Sequence, residues 1–399
     1  MIDAVKLGKL YKAGLLDDVV PFWLNYSPDR EQGGYFTCLE RNGEVFDTDK
    51  FIWLQARQVW TFAMLYVNVE KRSEWLAAAE AGARFLLQRG RAENGYWYFS
   101  LTREGAPLVQ PYNIFSDCFA AMAFGKLYEA TGNNDYATVA RDTFYNILKR
   151  QEQAKGIYNK AVPGTRPLKN FALPMILCNL VLELEPLLEP SLVEDTIRAG
   201  IDAVMKQFYR PDQGIILENI RTDGGFSDSF DGRVINPGHG LEAMWFIMDL
   251  AKRKGDDALI RRATDIALQL VECGWDAEHG GIFYFLDVLN KPLQQLEWDQ
   301  KLWWVHIETM ITLAKGYLHT GDGRCAQWFQ QLHDYTWQHF PDPEYGEWFG
   351  YLNREGKPLL SLKGGKWKGC FHVPRGLFQL WKTMEAIEQK YPAYLLQTK

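Results

Sequence analysis

Three of the seven histidines in the sequence occupy equivalent places in a repeating pattern, and histidine is the side chain best suited to move protons near neutral pH. His239, His306 and His372 each follow a recurring glycine by 25 or 26 residues, while Arg57 and Asp117 follow the glycines of two earlier repeats by 23 and 22 residues. A single histidine on a helix is more often a core or capping residue, but three in register favour chemistry. Two facing histidines could remove a proton from one face of a carbon atom and return one to the other face.

The residues that flank these histidines add carboxylates, aromatic rings and a guanidinium. In the segment NPGHGLE, a Pro-Gly turn places the first histidine at the start of a helix, with Glu242 one turn later. The segment WWVHIE places Trp303 and Glu308 on either side of the second histidine, and Arg375 follows the third. We expect these side chains to meet at one mouth, because equivalent positions of a closed repeat point to the same place.

Trp53 lies one helical turn before Arg57, so both side chains are expected on the same face of a helix. The pair could be a stacking platform beside an anion-stabilising group, or a buried tryptophan beside an arginine that is paired elsewhere. The arginines would be poor neighbours for a cation, and the histidines have neither HxH nor HExxH spacing. The sequence therefore predicts no metal site.

A segment reading KGIYNKAVPGTRPLK carries Lys160, Arg166 and Lys169 among glycines and prolines. A loop that binds phosphate would have this composition, and so would a solvated basic loop. The segment is not a P-loop, since the pattern GxxxxGK[ST] is absent from it.

The elements that must position these residues recur six times along the chain. A glycine followed by aromatic or aliphatic residues appears at intervals of 58 to 67 residues. A short run with strand character follows each glycine, in most units with a turn dipeptide, and then come an apolar helix and an amphipathic helix. The glycines are Gly34, Gly95, Gly156, Gly214, Gly281 and Gly346.

Six helix pairs predict an all-α toroid, the (α/α)6 barrel, with the apolar helices inside and short β-hairpins at one mouth. The last unit lacks its second helix, and the N-terminal segment 5–24 can supply it and close the ring. An open solenoid is the alternative for any helical repeat. No linker rich in Pro, Gly or Ser interrupts the pattern, so we predict a single domain over residues 1–399.

The composition narrows the class of protein. Hydrophobic residues make up 47% and charged residues 24% of the chain, as in soluble globular proteins. A net charge of −6 without a basic block argues against a nucleic-acid partner. The six cysteines are scattered, the N-terminus lacks the apolar core of a signal peptide, and no run of eighteen apolar residues occurs. These features predict a cytoplasmic protein without a membrane span.

The segments FIWLQARQVW, NPGHGLE, WWVHIET and KGCFHVPRGLF, together with the six-unit layout, resemble the N-acylglucosamine 2-epimerase family over essentially the whole chain. The resemblance implies an isomerase that interconverts N-acetylglucosamine and N-acetylmannosamine by moving the proton at carbon 2 of the open-chain sugar. It implies that His239 and His372 are the acid/base pair and that Arg57 and Glu308 are further essential groups. The family also contains cellobiose 2-epimerases and aldose–ketose isomerases of mannose-type sugars.

The resemblance also implies how the remaining residues and ligands are used. No metal or redox cofactor is expected, and ATP is expected as an allosteric activator that is not consumed. Apart from the resemblance, a homodimer formed through the outer helices is expected. The nucleotide is expected at the basic loop with Lys160, Arg166 and Lys169. The residues expected around the sugar are Trp53, Asp117, Glu242, Trp303, His306 and Arg375.

Two other functions stay open at this point. A glycoside hydrolase or lyase on the same barrel would need two carboxylates across the mouth, and Asp117, Glu218, Glu242 and Glu308 could supply a pair. A histidine pair in register is not expected for that chemistry. A protein-binding module is the other alternative, since the family includes a renin-binding protein, but it would leave the His, Arg and Trp residues unexplained.

Overall fold

A left-handed turn opens each of the six repeats and accounts for the glycine that marks it. In the computed structural model, which describes residues 2–153, 155–162 and 164–392, the six repeat glycines all have φ between 51° and 83°. Any other residue would be strained at such a φ, so the turn requires glycine. The predicted domain of residues 1–399 includes positions outside the described ranges, and it stays a prediction.

Twelve of the helices form two concentric rings, with one helix of each pair inside and one outside. Short π-helical turns at Gly14–Val19 and Ala203–Phe208 follow the first and eighth helices. In chain order, the α-helices of the described residues are α1 (Ala4–Ala13), α2 (Val20–Tyr26), α3 (Ile52–Asn68), α4 (Ser73–Arg89), α5 (Phe115–Thr131), α6 (Asn134–Arg150), α7 (Ala172–Leu184), α8 (Pro190–Asp202), α9 (Phe230–Arg233), α10 (Pro237–Lys254), α11 (Asp257–Gly274), α12 (Trp303–Thr320), α13 (Gly323–His339) and α14 (His372–Lys390).

The two rings differ in the pattern of their apolar residues. The inner helices are α3, α5, α7, α10, α12 and α14, and each packs against the next one along the chain. Inner helix α7 reads ALPMILCNLVLEL, with no charged residue before Glu183, because neighbours surround it. Outer helix α11 instead buries Ile260, Ala263, Ala267 and Leu270, at spacings of three and four residues, and presents charged residues on its other face.

The ring closes as the sequence predicts, with the N-terminal helix supplying the missing outer element. Helix α1 packs against α14, and its Tyr11 hydroxyl lies 3.0 Å from Nδ1 of His333 on α13. On the inner side, Thr61 of α3 donates a hydrogen bond of 2.8 Å to the carbonyl oxygen of Cys370, just before α14. The rings of Trp60 and Phe371 meet at the same seam, 5.3 Å apart. The barrel is therefore closed, and the open solenoid is excluded.

Short antiparallel strands join four of the six neighbouring pairs of units at one mouth of the barrel. The strand that precedes an inner helix pairs with a strand of the following unit, as β3 pairs with β4, β6 with β9, β10 with β11 and β12 with β13. The strands are β1 (Cys38–Leu39), β2 (Val45–Asp47), β3 (Lys50–Phe51), β4 (Ser100–Leu101), β5 (Pro107–Val109), β6 (Leu168–Asn170), β7 (Tyr209–Arg210), β8 (Ile215–Ile216), β9 (Asn219–Arg221), β10 (Val234–Ile235), β11 (Leu286–Asp287), β12 (Lys301–Leu302), β13 (Tyr351–Leu352) and β14 (Pro358–Leu360).

The run that directly follows each repeat glycine is less regular than predicted. In four units it forms a single bridge, made by Tyr35, Trp97, Ile282 or Trp348, and in the third unit it is the 3-10 turn Gly156–Tyr158. The four bridging side chains are almost completely buried. These residues therefore anchor the turn in the core, and the hairpin strands start later in the unit. No helix among the described residues is long and apolar enough to cross a membrane.

Three aspartates clamp neighbouring units together by the same arrangement of charges. Each lies shortly before a repeat glycine, binds a fully buried lysine of its own unit and binds an arginine of the following unit. Asp342 of the last unit, for example, accepts hydrogen bonds from Lys363 at 2.8 Å and from Arg41 of the first unit at 2.7 Å. The three clusters are Asp29–Lys50–Arg103, Asp276–Lys301–Arg354 and Asp342–Lys363–Arg41.

We expect Asp342→Asn to destabilise the protein, because it leaves Lys363 as a buried charge without its counter-ion and weakens the junction that closes the ring. Removing one partner of a buried ion pair costs about 3–5 kcal/mol. Urea denaturation followed by circular dichroism measures the free energy of unfolding. Asp195→Asn is the matched control, since its ion pair with Arg198 is exposed and such pairs contribute about 0–1 kcal/mol. Equal stability of the two variants would contradict this account of ring closure.

Candidate active site

The N-terminal turns of all six inner helices line one cavity of about 740 Å³. Hairpin residues such as Leu360 and the half-exposed Trp367 complete its wall, so it lies at the hairpin mouth. The size is that of a small-molecule site. Because the helices start at the cavity, the positive ends of their dipoles point toward it. The arrangement favours a ligand or intermediate with negative charge.

His239 stands in the first turn of α10, where the sequence Asn-Pro-Gly-His starts the helix. The side chain of Asn236 caps the helix by accepting a hydrogen bond of 3.2 Å from the His239 backbone, and Pro237 fits the first turn. Nδ1 of His239 lies 2.7 Å from Oε1 of Glu218. A carboxylate only accepts, so Nδ1 carries a hydrogen. Burial lowers the pKa of His239, but the charge and hydrogen bond of Glu218 outweigh it and the pKa is raised.

His372 begins α14 and has a similar hydrogen bond but a different charge environment. Its Nδ1 lies 2.8 Å from Oε1 of Glu308, so this nitrogen donates to the carboxylate. Burial, followed by the nearby positive charges of Arg57 and Arg375, holds the pKa of His372 well below its usual range. The ring is neutral at physiological pH, and its Nε2 is available to accept a proton.

Glu308 is the centre of a buried network that links three inner helices. Arg375 Nη2 donates to Glu308 at 2.6 Å and to Glu242 at 2.5 Å, and Trp245 Nε1 donates to Glu308 at 2.9 Å. Glu308 is fully buried, and Arg375 is almost so. The two carboxylates and His372 also place one atom each within 4.8 Å of one another, a spacing that suits a cation. The guanidinium of Arg375 already supplies positive charge there, and the absence of a metal stays a prediction.

Arg57 is a buried cation for which the described residues provide no ion pair. Its guanidinium carbon lies 3.9 Å from the ring of Phe119, 4.4 Å from Trp53 and 4.7 Å from Phe371. Nε has no hydrogen-bond partner, and no described residue forms an ion pair with the guanidinium. Burial, followed by the charge of Arg375, lowers the pKa of Arg57 to about 9. Contact with three aromatic faces offsets only part of this cost. The side chain is placed to bind an anion or a developing oxyanion.

Aromatic rings form the wall between the two histidines. The ring of Trp304 lies 5.2 Å from that of His239 and 5.8 Å from that of His372. Trp53 and Trp303 also line the cavity, and the indole nitrogens of both are buried without a hydrogen-bond partner. The faces of these rings offer a flat apolar surface on which a ring-shaped ligand could stack.

Two of the residues expected around the sugar lie away from the cavity wall. His306 is fully buried, and both ring nitrogens are used by the backbone: Nδ1 donates to Leu302 O at 2.7 Å and Nε2 accepts from Ile282 N at 3.1 Å. Burial lowers its pKa to about 3. Asp117 binds Arg150 at 3.0 Å behind the wall. Their register matches that of the other residues, but their side chains point into the packing between helices, so both have structural positions.

The other expected residues meet at one place. Arg57, Glu242, His239 and His372 line the cavity together with Trp53, Trp303 and Arg375, while Glu308 lies directly behind His372 and Arg375. Lys160, Arg166 and Lys169 do not line it. Lys160 and Arg166 lie on the exposed segment that leads into β6, and Lys169 is an exposed residue of β6 itself. Ala154 and Pro163 of this segment fall outside the described residues.

The sequence did not indicate several residues that contact the histidines or line the cavity. Glu218 was considered only as a hydrolase carboxylate, whereas it binds His239, and Tyr284, Asn179 and Trp304 also line the cavity. Glu218 stands four residues after the glycine of its repeat, and the equivalent positions of the other repeats hold no carboxylate, so the repeat pattern gave no signal for it. The hydrolase alternative loses support, because Glu242 and Glu308 both bind the guanidinium of Arg375.

Comparison with known proteins identifies the family. A sequence model described as N-acylglucosamine 2-epimerase (GlcNAc 2-epimerase) matches residues 34–373. The chain belongs to the N-acylglucosamine 2-epimerase family. The N-acylglucosamine 2-epimerase of Bos taurus is 44% identical over 377 residues, which cover 91% of this chain and 87% of that protein.

Solved structures of the N-acylglucosamine 2-epimerase family's relatives share the barrel. The cellobiose 2-epimerase of Bacillus thermoamylovorans B4167 superposes with a TM-score of 0.81 at 19% identity, covering 95% of this chain and 99% of that one. A D-mannose isomerase superposes with a TM-score of 0.81 at 19% identity, covering 94% and 98%. At this identity the likeness shows the (α/α)6 fold alone.

Arg57 and Arg375 should respond in opposite ways to replacement by methionine, which preserves most of the side-chain length. Arg375→Met leaves Glu242 and Glu308 buried without a counter-ion and should cost about 3–5 kcal/mol of stability. Arg57→Met removes a buried charge that has no ion-pair partner, so the stability should stay the same or rise, while activity is lost. Urea denaturation and activity assays measure the two effects. Equal destabilisation by both changes would show that Arg57 has a structural partner.

Proposed function

We propose that the protein interconverts N-acylglucosamine and N-acylmannosamine by removing and returning the proton at carbon 2. The observation that carries this proposal is that two histidines share one cavity and one aromatic wall, each with its own carboxylate, beside the unpaired guanidinium of Arg57. The curated N-acylglucosamine 2-epimerases, at 42–44% identity over most of the chain, support the substrate class.

The chemistry of the sugar explains why these groups are needed. Carbon 2 of a closed pyranose is not acidic, so the ring must open before the carbon 1 aldehyde can accept charge. One histidine removes the proton, and the electron pair of the C2–H bond passes through carbon 1 to its oxygen. Arg57 stabilises that oxyanion, and the other histidine returns a proton to carbon 2. Acid/base groups contribute about 10²–10⁴-fold each, and a fixed charge at the oxyanion contributes a similar or larger factor.

The wall of the cavity on the side of α5 and α7 supports an acylated substrate. Met122, Met175 and Leu180 form an apolar surface, and Asn179 adds an amide beside them. An acyl methyl group would pack on the apolar residues, while its amide could hydrogen bond to a side chain such as Asn179. Cellobiose and mannose, the sugars named for the relatives in the solved structures, carry a hydroxyl at carbon 2 and have no need for such a wall.

We expect turnover of N-acetylglucosamine in heavy water to give N-acetylmannosamine that carries deuterium at carbon 2. The returning proton comes from a different histidine than the one that received the substrate proton, and imidazole protons exchange with water whenever the site is open. His239 is 26% exposed, so its ring can exchange. NMR spectroscopy of the product measures the incorporation.

The reverse reaction, from N-acetylmannosamine, is the matched control and should also label carbon 2. Mannose and cellobiose, offered at the same concentration, should react much more slowly. Product without deuterium after many turnovers would contradict the two-histidine mechanism and would favour transfer by one shielded base. Faster turnover of cellobiose or mannose would assign the protein to another branch of the family.

We further propose that ATP activates the enzyme without being consumed, by binding at the basic loop that carries Lys160, Arg166 and Lys169. The charge of this loop supports the proposal, and so does its connection to the site. Its end, β6, pairs with β9, and Asn170 Nδ2 donates a hydrogen bond of 3.3 Å to the carbonyl oxygen of Glu218. Binding of ATP to the loop would therefore act, through β6 and Asn170, on Glu218, which is the hydrogen-bond partner of His239. A homodimer and a cytoplasmic location stay predictions.

Lys160→Ala should reduce activation by ATP while leaving the rate without nucleotide unchanged, because the side chain is exposed and outside the cavity. The rate is measured against ATP concentration, and ADP is measured at the end. Lys9→Ala, an exposed lysine of α1, is the control and should activate normally. Release of ADP in proportion to product would show that ATP is a substrate, and normal activation of Lys160→Ala would remove this residue from the nucleotide site.

A further inference from the structure

We propose that Glu218 is the positioning residue that holds His239 as an imidazolium in the resting enzyme, so that His239 starts as the proton donor and His372 as the proton acceptor. This rests on the proposed function for its consequence in catalysis. The arrangement of charges that supports it is independent of the substrate.

Glu218 is held firmly from three directions. Its backbone N–H donates to Val234 O at 3.1 Å, and its carbonyl oxygen accepts from Phe171 N at 2.9 Å and from the side chain of Asn170 at 3.3 Å. These contacts join the segment to β10 and to the start of α7. The residue is 8% exposed, so its carboxylate is directed at His239 from a fixed and nearly dry position.

The carboxylates of Glu218 and Glu308 differ in what else they bind. Among the side chains of the described residues, only His239 bonds to the Glu218 carboxylate. Glu308 also binds Arg375, which carries a full positive charge, and Trp245. The charge of Glu308 is therefore largely neutralised before His372 contacts it, whereas the charge of Glu218 acts on His239 alone. The two histidine–carboxylate hydrogen bonds have similar distances, yet they favour a protonated His239 and a neutral His372.

Other charged groups near the two rings also contribute. Glu242, on the helix of His239, raises the pKa of both histidines, whereas burial, followed by Arg57 and Arg375, keeps the pKa of His372 low. His239 also lowers the pKa of His372, which favours a single proton shared by the pair. Tyr284, from the following unit, lies near both Glu218 and Glu297, and Tyr284 and Glu297 line the cavity. Glu297 is a further carboxylate of the cavity that does not contribute to the pKa of His239, and it is therefore the control below.

The tautomers complete the assignment. Because Nδ1 of each histidine donates to a carboxylate, Nε2 is the nitrogen left for the cavity. Nε2 of neutral His372 accepts the carbon 2 proton of one epimer, and the C2–H electron pair moves into the sugar. Nε2–H of His239 then supplies the proton that forms the new C2–H bond. His372 ends protonated and His239 neutral, which is the state that the other epimer requires.

The test is an NMR titration of the substrate-free protein labelled with ¹³C-histidine, with signals assigned by His239→Asn and His372→Asn. We expect His239 of the wild type to titrate above about 6.5, the value of an unperturbed histidine. In Glu218→Gln it should titrate below that value. Glu297→Gln removes the same charge from the cavity without touching His239 and should leave its midpoint unchanged. Glu218→Asp retains the charge and should restore part of the effect if Glu218→Gln folds poorly.

A wild-type midpoint at or below about 6.5, or a midpoint that Glu218→Gln does not lower, overturns the proposal whether or not the protein acts on N-acetylglucosamine. If turnover is present, the basic limb of kcat/KM should move to lower pH in Glu218→Gln. The loss of kcat/KM should be small at low pH. It should grow as the pH rises, up to about tenfold for each unit by which the pKa of His239 has fallen. A loss that is equal at all pH values would indicate a merely structural role and would also contradict the proposal.

Discussion

The buried carboxylate of Glu308 is the constraint on which the rest of the site depends. A charge without access to water must be compensated by partners in fixed positions, and here they come from two other inner helices: Trp245 from α10, and His372 and Arg375 from α14. Arg375 in turn must also satisfy Glu242. Compensation of this one charge therefore sets the spacing of three inner helices at the mouth and aims His372 at the cavity.

Arg57 shows the opposite situation, a buried charge that the fold does not compensate. Three aromatic rings surround its guanidinium, and the positive charge of Arg375 disfavours it further. A stable fold alone would not select such a residue, because an apolar side chain of the same size would avoid the desolvation. The charge becomes favourable when an oxyanion forms in the cavity. The buried guanidinium of Arg57 therefore lowers the stability of the fold at the place where the proposed reaction needs a positive charge beside the oxyanion.

The mouth of the barrel is held in two different ways around the ring. The three aspartate clamps join the first unit to the second, the fifth to the sixth, and the sixth to the first. These clamped units carry Arg57, Glu308 and His372. His239 belongs to the fourth unit, where the Asn236 cap and Glu218 hold it, and the basic loop enters beside it through β6 and β9. Different contacts therefore position His239 and His372, so the charges around the two rings can differ.

The sequence by itself determined the barrel, because six positive-φ turns require glycine and because the inner helices are apolar on all sides while the outer helices are apolar on one face. It also predicted that His239, His372, Arg57 and Glu308 meet at one mouth, where the structure brings them together, since residues at equivalent repeat positions converge there. The repeat could not distinguish His306 from these residues, because a rotation of the helix by a fraction of a turn decides between cavity and core. Only the tertiary structure decided which nitrogen binds which carboxylate, and it brought Glu218 to His239 from 21 residues away. Protonation states depend on distances of a few ångströms between charges, and the spacing of residues along a chain does not contain those distances.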